Sequence, residues 1–140
     1  MSAVHATTVA IGGHGVMLLG SSGAGKSDLA LRLIDRGALL VSDDYTQLVA
    51  LEGKLIATPP ATIAGRMEIR GIGIVVMPFT PSITVRMVVG LGDEVDRMPR
   101  PSWRTIADQR VRAIVIDPRA PSAAIKVERA LAQFLAECGA

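Results

Sequence analysis

The stretch Gly20-Ser21-Ser22-Gly23-Ala24-Gly25-Lys26-Ser27 decides how this chain folds. It matches G-x-x-x-x-G-K-[ST], the pattern of a phosphate-binding loop. Glycines allow the backbone to approach phosphate oxygens closely, Lys26 offers a cation to them, and Ser27 offers a hydroxyl to Mg²⁺. The pattern therefore predicts a polyphosphate site, with a glycine-rich turn that binds nothing as the alternative.

The residues on either side of this loop supply the context that such a site needs. Residues 15–19 form a short apolar run typical of a buried strand, and residues 28–36 have the pattern of a helix that Gly37 ends. A strand, a loop and a helix N-terminus together direct backbone N–H groups and the positive end of the helix dipole at one point. This context favours the phosphate-binding reading over the simple turn.

Composition limits the possible classes of protein. The chain has 140 residues, which predicts a single domain over residues 1–140, and 49% of them are hydrophobic. Its 15 basic and 13 acidic residues form no polybasic block, so a nucleic-acid partner is not expected. No run of about 18 apolar residues suggests a membrane segment, and we expect a cytoplasmic protein.

Strands outnumber helices in the predicted secondary structure. Only two helices are expected, the one after the phosphate loop and a terminal one that begins after Ser122. Val127, Leu131, Phe134, Leu135 and the lone Cys138 lie at helical spacing on one face of the latter. Regular alternation of strands and helices is absent, which favours an α/β fold with a mixed β-sheet. Strands are predicted at residues 4–11, 15–19, 38–41, 47–51, 54–57, 67–77, 83–91 and 113–116.

Asp43 and Asp44 follow the predicted strand 38–41. An apolar strand that delivers carboxylates beside a phosphate loop commonly holds Mg²⁺ or positions a nucleophile. The alternative is an acidic pair in a turn, where Asp is common. His5 lies on the first predicted strand, where it could influence a nearby carboxylate or serve only as a hydrogen-bonded sheet residue.

Four ordered motifs together resemble one known family. They are residues 5–9, the loop 20–27, the segment 36–44 that ends on the aspartate pair, and Met67-Glu68-Ile69-Arg70-Gly71-Ile72-Gly73-Ile74. In sequence and spacing they are similar to the catalytic domain of HPr kinase/phosphorylase, and the last motif is close to that family's L-E-I-R-G-L-G-I-I signature. The resemblance is clear over roughly residues 5 to 77 and weaker beyond them.

The resemblance implies a bifunctional enzyme. Members use ATP, or in some cases pyrophosphate, with Mg²⁺ to phosphorylate a regulatory serine of the phosphocarrier protein HPr, and they reverse the reaction with inorganic phosphate. The implied fold is similar to that of phosphoenolpyruvate carboxykinase, and the implied assembly is a hexamer. Because longer relatives carry an additional N-terminal domain, the chain resembles an abbreviated form with the catalytic domain only.

The resemblance also implies residue roles. Asp44 matches the catalytic aspartate, which takes the serine proton in one direction and returns it in the other, and Asp43 and His5 are the neighbours that tune its protonation. Lys26 neutralises phosphoryl charge, and Ser27 and Glu68 match the Mg²⁺ ligands. Arg97 matches the active-site arginine. Ordinary alternatives are a solvent-facing strand residue for Glu68 and a loop residue for Arg97.

The chain departs from the family pattern near its C-terminus. Residues 116–122 occupy the place of a proline-glycine-arginine-asparagine stretch that the family ties to dephosphorylation. Arg119 is the residue there that could substitute, so the departure leaves open whether the reverse reaction is retained. Two other classes of protein stay open at this point. A phosphate-loop kinase of small metabolites would share the loop and the Mg²⁺ ligands, and a nucleotide-sensing module would bind ATP without turnover.

Overall fold

The structure is a computed structural model, and it describes residues 2–138. Two helices and eleven strands are formed in this part of the chain. The helices are α1 (Lys26–Asp35) and α2 (Ala123–Glu137). The strands are β1 (Ser2–Val4), β2 (Ala6–Ile11), β3 (His14–Leu19), β4 (Leu39–Ser42), β5 (Thr46–Leu51), β6 (Lys54–Thr58), β7 (Arg66–Ile69), β8 (Gly73–Val76), β9 (Ile83–Leu91), β10 (Ser102–Ile106) and β11 (Gln109–Ile116).

Nine of these strands form one sheet, and β7 and β8 form a separate hairpin within residues 2–138. The order in the large sheet is β1-β5-β6-β9-β3-β2-β4, and β11 pairs with β9 and carries β10. The pairs β3 with β9 and β9 with β11 are parallel. The other strand pairs are antiparallel, because short turns connect several of them. The prediction of a mixed sheet is therefore confirmed.

Alternating residues of the central strands belong to two separate apolar layers. On β3, Val16 and Leu18 join the cluster under the two helices, whereas Met17 joins the cluster on the opposite face. Successive side chains of a strand point to opposite faces, so one strand can stabilise both layers. The helices contribute Leu29, Leu33, Val127, Leu131 and Phe134, which are all buried, to the first layer. As a result, the strand before the phosphate loop and the helix after it are fixed by one core.

Two predicted strands are interrupted in the structure. The segment 4–11 bends at His5, because β1 pairs with β5 whereas β2 pairs with β3 and β4. The segment 67–77 is a hairpin, not one extended strand, since Gly71 and Gly73 adopt φ values of 89° and 116°. A Cβ at either glycine would meet nothing within 4 Å, so these glycines serve the turn and not a close backbone approach.

Three details at the C-terminal end differ from the prediction. Strand β10 was missed and β11 begins four residues earlier than expected, because their exposed polar residues hide the strand pattern. Ser122 occupies the N-cap position of α2, but its side chain makes no capping hydrogen bond. Cys138 is a free cysteine as predicted, but it is exposed and not part of the apolar helix face. Within residues 2–138, neither helix is long and apolar enough to cross a membrane.

Candidate active site

The phosphate-binding loop connects β3 directly to the first residue of α1, as predicted. Gly25 precedes the helix with φ 100°, a left-handed conformation that other residues adopt only with strain. Gly20 is needed for a different reason, since a Cβ there would lie 2.9 Å from the Cβ of Ala24. The sequence therefore forms a compact loop that leads directly into the N-terminus of α1. The remaining loop residues Ser21, Ser22 and Gly23 are exposed.

The side chain of Lys26 folds back along the loop. The residue is buried, and its Nζ donates hydrogen bonds to the carbonyl oxygens of Gly20 at 2.8 Å and Ser21 at 3.1 Å. These neutral acceptors hold the ammonium group at the loop. A bound phosphate would offer a charged acceptor to the same group, and charge-assisted hydrogen bonds are the stronger kind.

Asp43 joins three other segments of the site. Its side chain is buried, and Oδ1 accepts hydrogen bonds from Thr7 Oγ1 at 3.2 Å and from Ser27 Oγ at 2.6 Å. Oδ2 accepts a third bond, of 3.1 Å, from the backbone N–H of Glu68. The carboxylate thereby connects β2, α1 and β7 to the end of β4.

Asp44 lies at the same strand end but points toward solvent. Its Oδ1 is 2.7 Å from His5 Nε2, and its backbone N–H donates to Thr7 Oγ1 at 3.1 Å. The backbone of Asp44 adopts φ 68°, in the left-handed region that Asp tolerates better than most residues. The imidazole of His5 also stacks on Tyr45, with ring centroids 5.1 Å apart. An acid–imidazole pair therefore lies beside the carboxylate that holds Ser27.

The groups around Asp43 have the chemistry that Mg²⁺ prefers. Ser27 offers a hydroxyl oxygen and Asp43 a carboxylate, and the backbone of Glu68 is tied to the same carboxylate. Among residues 2–138 no three His, Cys, Asp or Glu side chains form a group that could hold a metal. Magnesium commonly binds through one or two protein ligands together with water and substrate phosphates, so this sparse set fits.

The predicted signature residues lie on the β7–β8 hairpin. Glu68 is exposed on β7, and Ile69 is half-buried against the helix-side core. Arg70 and Ile72 are exposed in the turn with Gly71, and Gly73 begins β8. The Glu68 side chain is thus exposed to solvent. It lies close to Asp43, because the Glu68 backbone N–H donates to the Asp43 carboxylate.

The two predicted arginines have different surroundings. Arg97 is exposed in the irregular segment 92–101 and makes no hydrogen bond or ion pair with another residue of the described range 2–138. Arg119 lines a cavity of about 440 Å³ together with Gly23 and Gly25 of the phosphate loop. The structure therefore brings Arg119 to the loop, and the role of Arg97 stays a prediction.

Arg119 is held by an aspartate that the sequence analysis did not assign to the site. Its Nε and one terminal nitrogen donate to Asp117 Oδ1 and Oδ2 at 3.1 and 3.2 Å. These side-chain hydrogen bonds, with a further one from the Arg119 backbone, hold the pKa of the Asp117 carboxyl below its ordinary value of 3.8. The same bonds, with the charges of Asp117 and Asp93, raise the pKa of Arg119.

Sequence reasoning missed three residues that shape the site. Thr7 is buried and contacts both aspartates, Tyr45 stacks on His5, and Arg32 bonds to the loop that carries Arg119. The sequence pattern of β2 does not distinguish Thr7 from an ordinary strand threonine. Arg32 likewise looks like any arginine in a helix. Tyr45, however, directly follows the aspartate pair and is the only tyrosine of the chain. This position next to the aspartates could have identified Tyr45 as a site residue.

Comparison with protein-family models gives a match over residues 1–90 to the HPr Serine kinase C-terminal domain. The matched region covers the phosphate loop, both aspartates, His5 and Glu68. The chain belongs to the HPr serine kinase C-terminal domain family. Arg97 and Arg119 lie beyond the matched residues, so the family match does not bear on their roles.

The chain is also similar to proteins named HPr kinase/phosphorylase. The HPr kinase/phosphorylase of Clostridium tetani is 44% identical over 75 residues, which are 54% of this chain and 25% of that protein. That of Clostridium beijerinckii is 42% identical over 72 residues, 51% of this chain and 24% of the relative. The matched region thus spans about a quarter of these relatives.

A solved structure extends the likeness to the whole chain. The Hpr(Ser) kinase/phosphatase from Coxiella burnetii is 27% identical, covers 100% of both chains and has a TM-score of 0.86. The prediction of an α/β domain with the mixed sheet of this family is therefore confirmed.

Proposed function

We propose that this protein transfers a phosphoryl group from ATP or pyrophosphate to a serine of the phosphocarrier protein HPr, and that it also catalyses the reverse reaction with inorganic phosphate. The proposal is supported by the family membership and by relatives named HPr kinase/phosphorylase.

The observation that carries the proposal is the placement of Asp44. Its carboxylate pairs with His5 at 2.7 Å, and its neighbour Asp43 bonds at 2.6 Å to Ser27 of the phosphate loop. An ionisable acid is thus fixed next to the place where a polyphosphate would rest. A module that only senses nucleotide needs no such acid, and an acid of this kind suits proton transfer at an incoming alcohol.

In the forward direction Asp44 acts as the general base. The serine hydroxyl of HPr gives its proton to the Asp44 carboxylate while its oxygen bonds to the terminal phosphorus of the donor. The bond from that phosphorus to the bridging oxygen breaks, and ADP or inorganic phosphate leaves. His5 orients the carboxylate through their shared hydrogen bond.

Lys26, Ser27, Asp43 and Glu68 serve the phosphates. The Lys26 ammonium exchanges the Gly20 and Ser21 carbonyls for phosphate oxygens, which are stronger acceptors because they are charged. Ser27 and Glu68 would hold Mg²⁺, and Asp43 fixes both through its hydrogen bonds to the Ser27 hydroxyl and the Glu68 backbone. When bound, the ion neutralises the charge that develops on the transferring group.

In the reverse direction the same acid works in its protonated form. An oxygen of inorganic phosphate attacks the phosphorus of phosphoserine, the bond to the seryl oxygen breaks, and Asp44 returns a proton to that oxygen. The products are pyrophosphate and the serine of HPr. Arg119, which lies at the phosphate loop, is the cation that we assign to the incoming phosphate. Assembly into a hexamer stays a prediction.

The proposal is tested by incubating the protein with HPr, Mg²⁺ and ATP, and then with inorganic phosphate, while the mass of HPr is followed. A gain of one phosphoryl group in the first step and its loss in the second is the expected result. If HPr gains no mass with either ATP or pyrophosphate as donor, the proposed activity is wrong. If the gain persists after phosphate is added, the protein is a kinase only.

A further inference from the structure

The segment 117–120 is held over the phosphate loop by a residue of α1. One terminal nitrogen of Arg32 donates to the carbonyl oxygen of Pro118 at 2.5 Å, and the other donates to that of Ala120 at 3.4 Å. The Arg32 side chain also forms an ion pair of 3.2 Å with Asp28, one turn earlier on the same helix. The guanidinium therefore joins the first helix to a loop that is 86 residues away in sequence.

This joint brings the loop into contact with the phosphate-binding glycines. A Cβ at Gly25 would lie 3.4 Å from Pro118 Cβ, which shows how closely the two loops pack. Arg32, Arg119, Gly23 and Gly25 all line the same cavity of about 440 Å³. The backbone that Arg32 holds therefore carries Arg119 to this cavity, and the bonds to Asp117 fix the guanidinium itself.

Of the two carbonyl groups that Arg32 holds, that of Ala120 also accepts a hydrogen bond of 3.0 Å from the Ala123 N–H at the start of α2, whereas that of Pro118 accepts no such bond from the backbone of the described residues. Segment 117–120 connects β11 to α2, and its internal bonds run from the Arg119 and Ala120 N–H groups to Asp117. A guanidinium that donates to two carbonyls in a fixed fork restrains such a segment better than a single donor. The Nε of Arg32 is buried without a partner, so the side chain is held through its terminal nitrogens.

We propose that Arg32 is a positioning residue that holds segment 117–120 against the phosphate loop and thereby directs Arg119 toward bound phosphate. The inference rests on the proposed function for its ligand, and it adds a residue that neither the motif nor the family match assigns. Arg32 does not touch the phosphate in this scheme. It acts through the Pro118 and Ala120 carbonyls.

The test compares Arg32→Ala with a matched control, Arg36→Ala. Arg36 directly follows the last residue of α1, at the end of the helix opposite the phosphate loop, and joins it to Glu128 of α2 at 2.8 Å. Hydrogen exchange of the Arg119 and Ala120 amides is measured first, without ligand. Arg32→Ala should accelerate this exchange and Arg36→Ala should not. Unchanged exchange in Arg32→Ala overturns the inference, whatever the protein binds.

Pyrophosphate binding in the presence of Mg²⁺ is then measured by calorimetry. Loss of two hydrogen bonds to the loop should weaken binding by about tenfold in Arg32→Ala, with Arg32→Lys intermediate and Arg36→Ala unchanged. Combined with Arg119→Ala, the Arg32→Ala effect should largely vanish, because Arg32 acts through Arg119. If the losses of binding free energy in Arg32→Ala and Arg119→Ala simply add in the double variant, the inference is overturned. Absence of pyrophosphate and nucleotide binding in the unsubstituted protein contradicts the proposed function, while the exchange result still decides whether Arg32 holds the segment.

Discussion

His5 Nε2 lies 2.7 Å from Asp44 Oδ1, although 39 residues separate them in the chain. The antiparallel pairing of β2 with β4 explains this proximity, because it places the start of one strand beside the end of the other. Both side chains are partly exposed, 37% for His5 and 60% for Asp44. Substitutions at this pair should therefore change the chemistry more than the stability.

The first prediction concerns Asp44→Asn. Asparagine tolerates the left-handed backbone found at this position, but its amide cannot accept a proton. We expect phosphoryl transfer to HPr to fall by about 10²- to 10⁴-fold while the affinity for Mg²⁺ and nucleotide persists. Rates are measured by HPr phosphorylation and affinity by calorimetry.

A control for this substitution is Asp108→Asn. Asp108 is also exposed and left-handed, with φ 63°, but it lies in the turn between β10 and β11. It should leave the rate unchanged. Transfer by Asp44→Asn within a few-fold of the unsubstituted rate would remove Asp44 from the role of general base.

Much of the fold follows from local sequence signals. The loop glycines and the apolar run before them each act over a few residues, and β9 has the predicted bounds. The break at His5 was not predicted because it depends on which distant strands pair with β1 and β2. Strand β10 was missed because four of its five residues are exposed.

The site could be predicted only where a motif fixes it. The loop, the aspartate pair and His5 lie together as their spacing suggested, whereas the contacts of Asp43 with Thr7 and the Glu68 backbone appear only in three dimensions. Arg97 lies in an exposed irregular segment, and its predicted role as the active-site arginine stays a prediction. The Asp117–Arg119 pair is local in sequence, yet its place at the phosphate loop involves a contact across 86 residues, from Arg32 to the Pro118 carbonyl, which local patterns do not reveal.

The second prediction concerns Tyr45, which stacks on the His5 imidazole at a centroid distance of 5.1 Å. Tyr45→Ser should lower kcat several-fold, with KM for the phosphoryl donor unchanged, because the imidazole loses the face that orients it. Tyr45→Phe keeps the stacked ring and serves as the control, with near-normal kcat. Equal losses in the two variants would point to the hydroxyl and against stacking.

The third prediction concerns Asp43, whose buried carboxylate accepts three hydrogen bonds. Asp43→Asn replaces one acceptor oxygen with an NH₂ group, which leaves Thr7, Ser27 or the Glu68 N–H without a partner. We expect a loss of about 1–3 kcal/mol in the free energy of unfolding, measured in urea without Mg²⁺. The exposed Asp35→Asn is the control and should be neutral. Unchanged stability of Asp43→Asn would show that these bonds contribute little.

The fourth prediction concerns Ser27 as a magnesium ligand. Ser27→Ala removes the hydroxyl oxygen, so the Mg²⁺ concentration for half-maximal transfer should rise by about tenfold or more. Ser22 is an exposed serine of the same loop, and Ser22→Ala should leave that concentration unchanged. A parallel rise in both variants would indicate a general disturbance of the loop.

The fifth prediction is a pH dependence that arises from the Asp117–Arg119 pair. Bonds from Arg119 lower the pKa of Asp117 in the folded protein, so the pair stabilises the fold above the ordinary value of 3.8 and is lost as the pH falls through the lower folded pKa. The difference in the free energy of unfolding between the unsubstituted protein and Asp117→Asn should therefore stay constant from neutral pH down to 3.8. Below pH 3.8 the difference should disappear. Urea unfolding across this range measures the difference, and Asp35→Asn, at an exposed carboxylate of α1, is the control. A difference that disappears well above pH 3.8 would mean that another group, not Asp117, controls the pair.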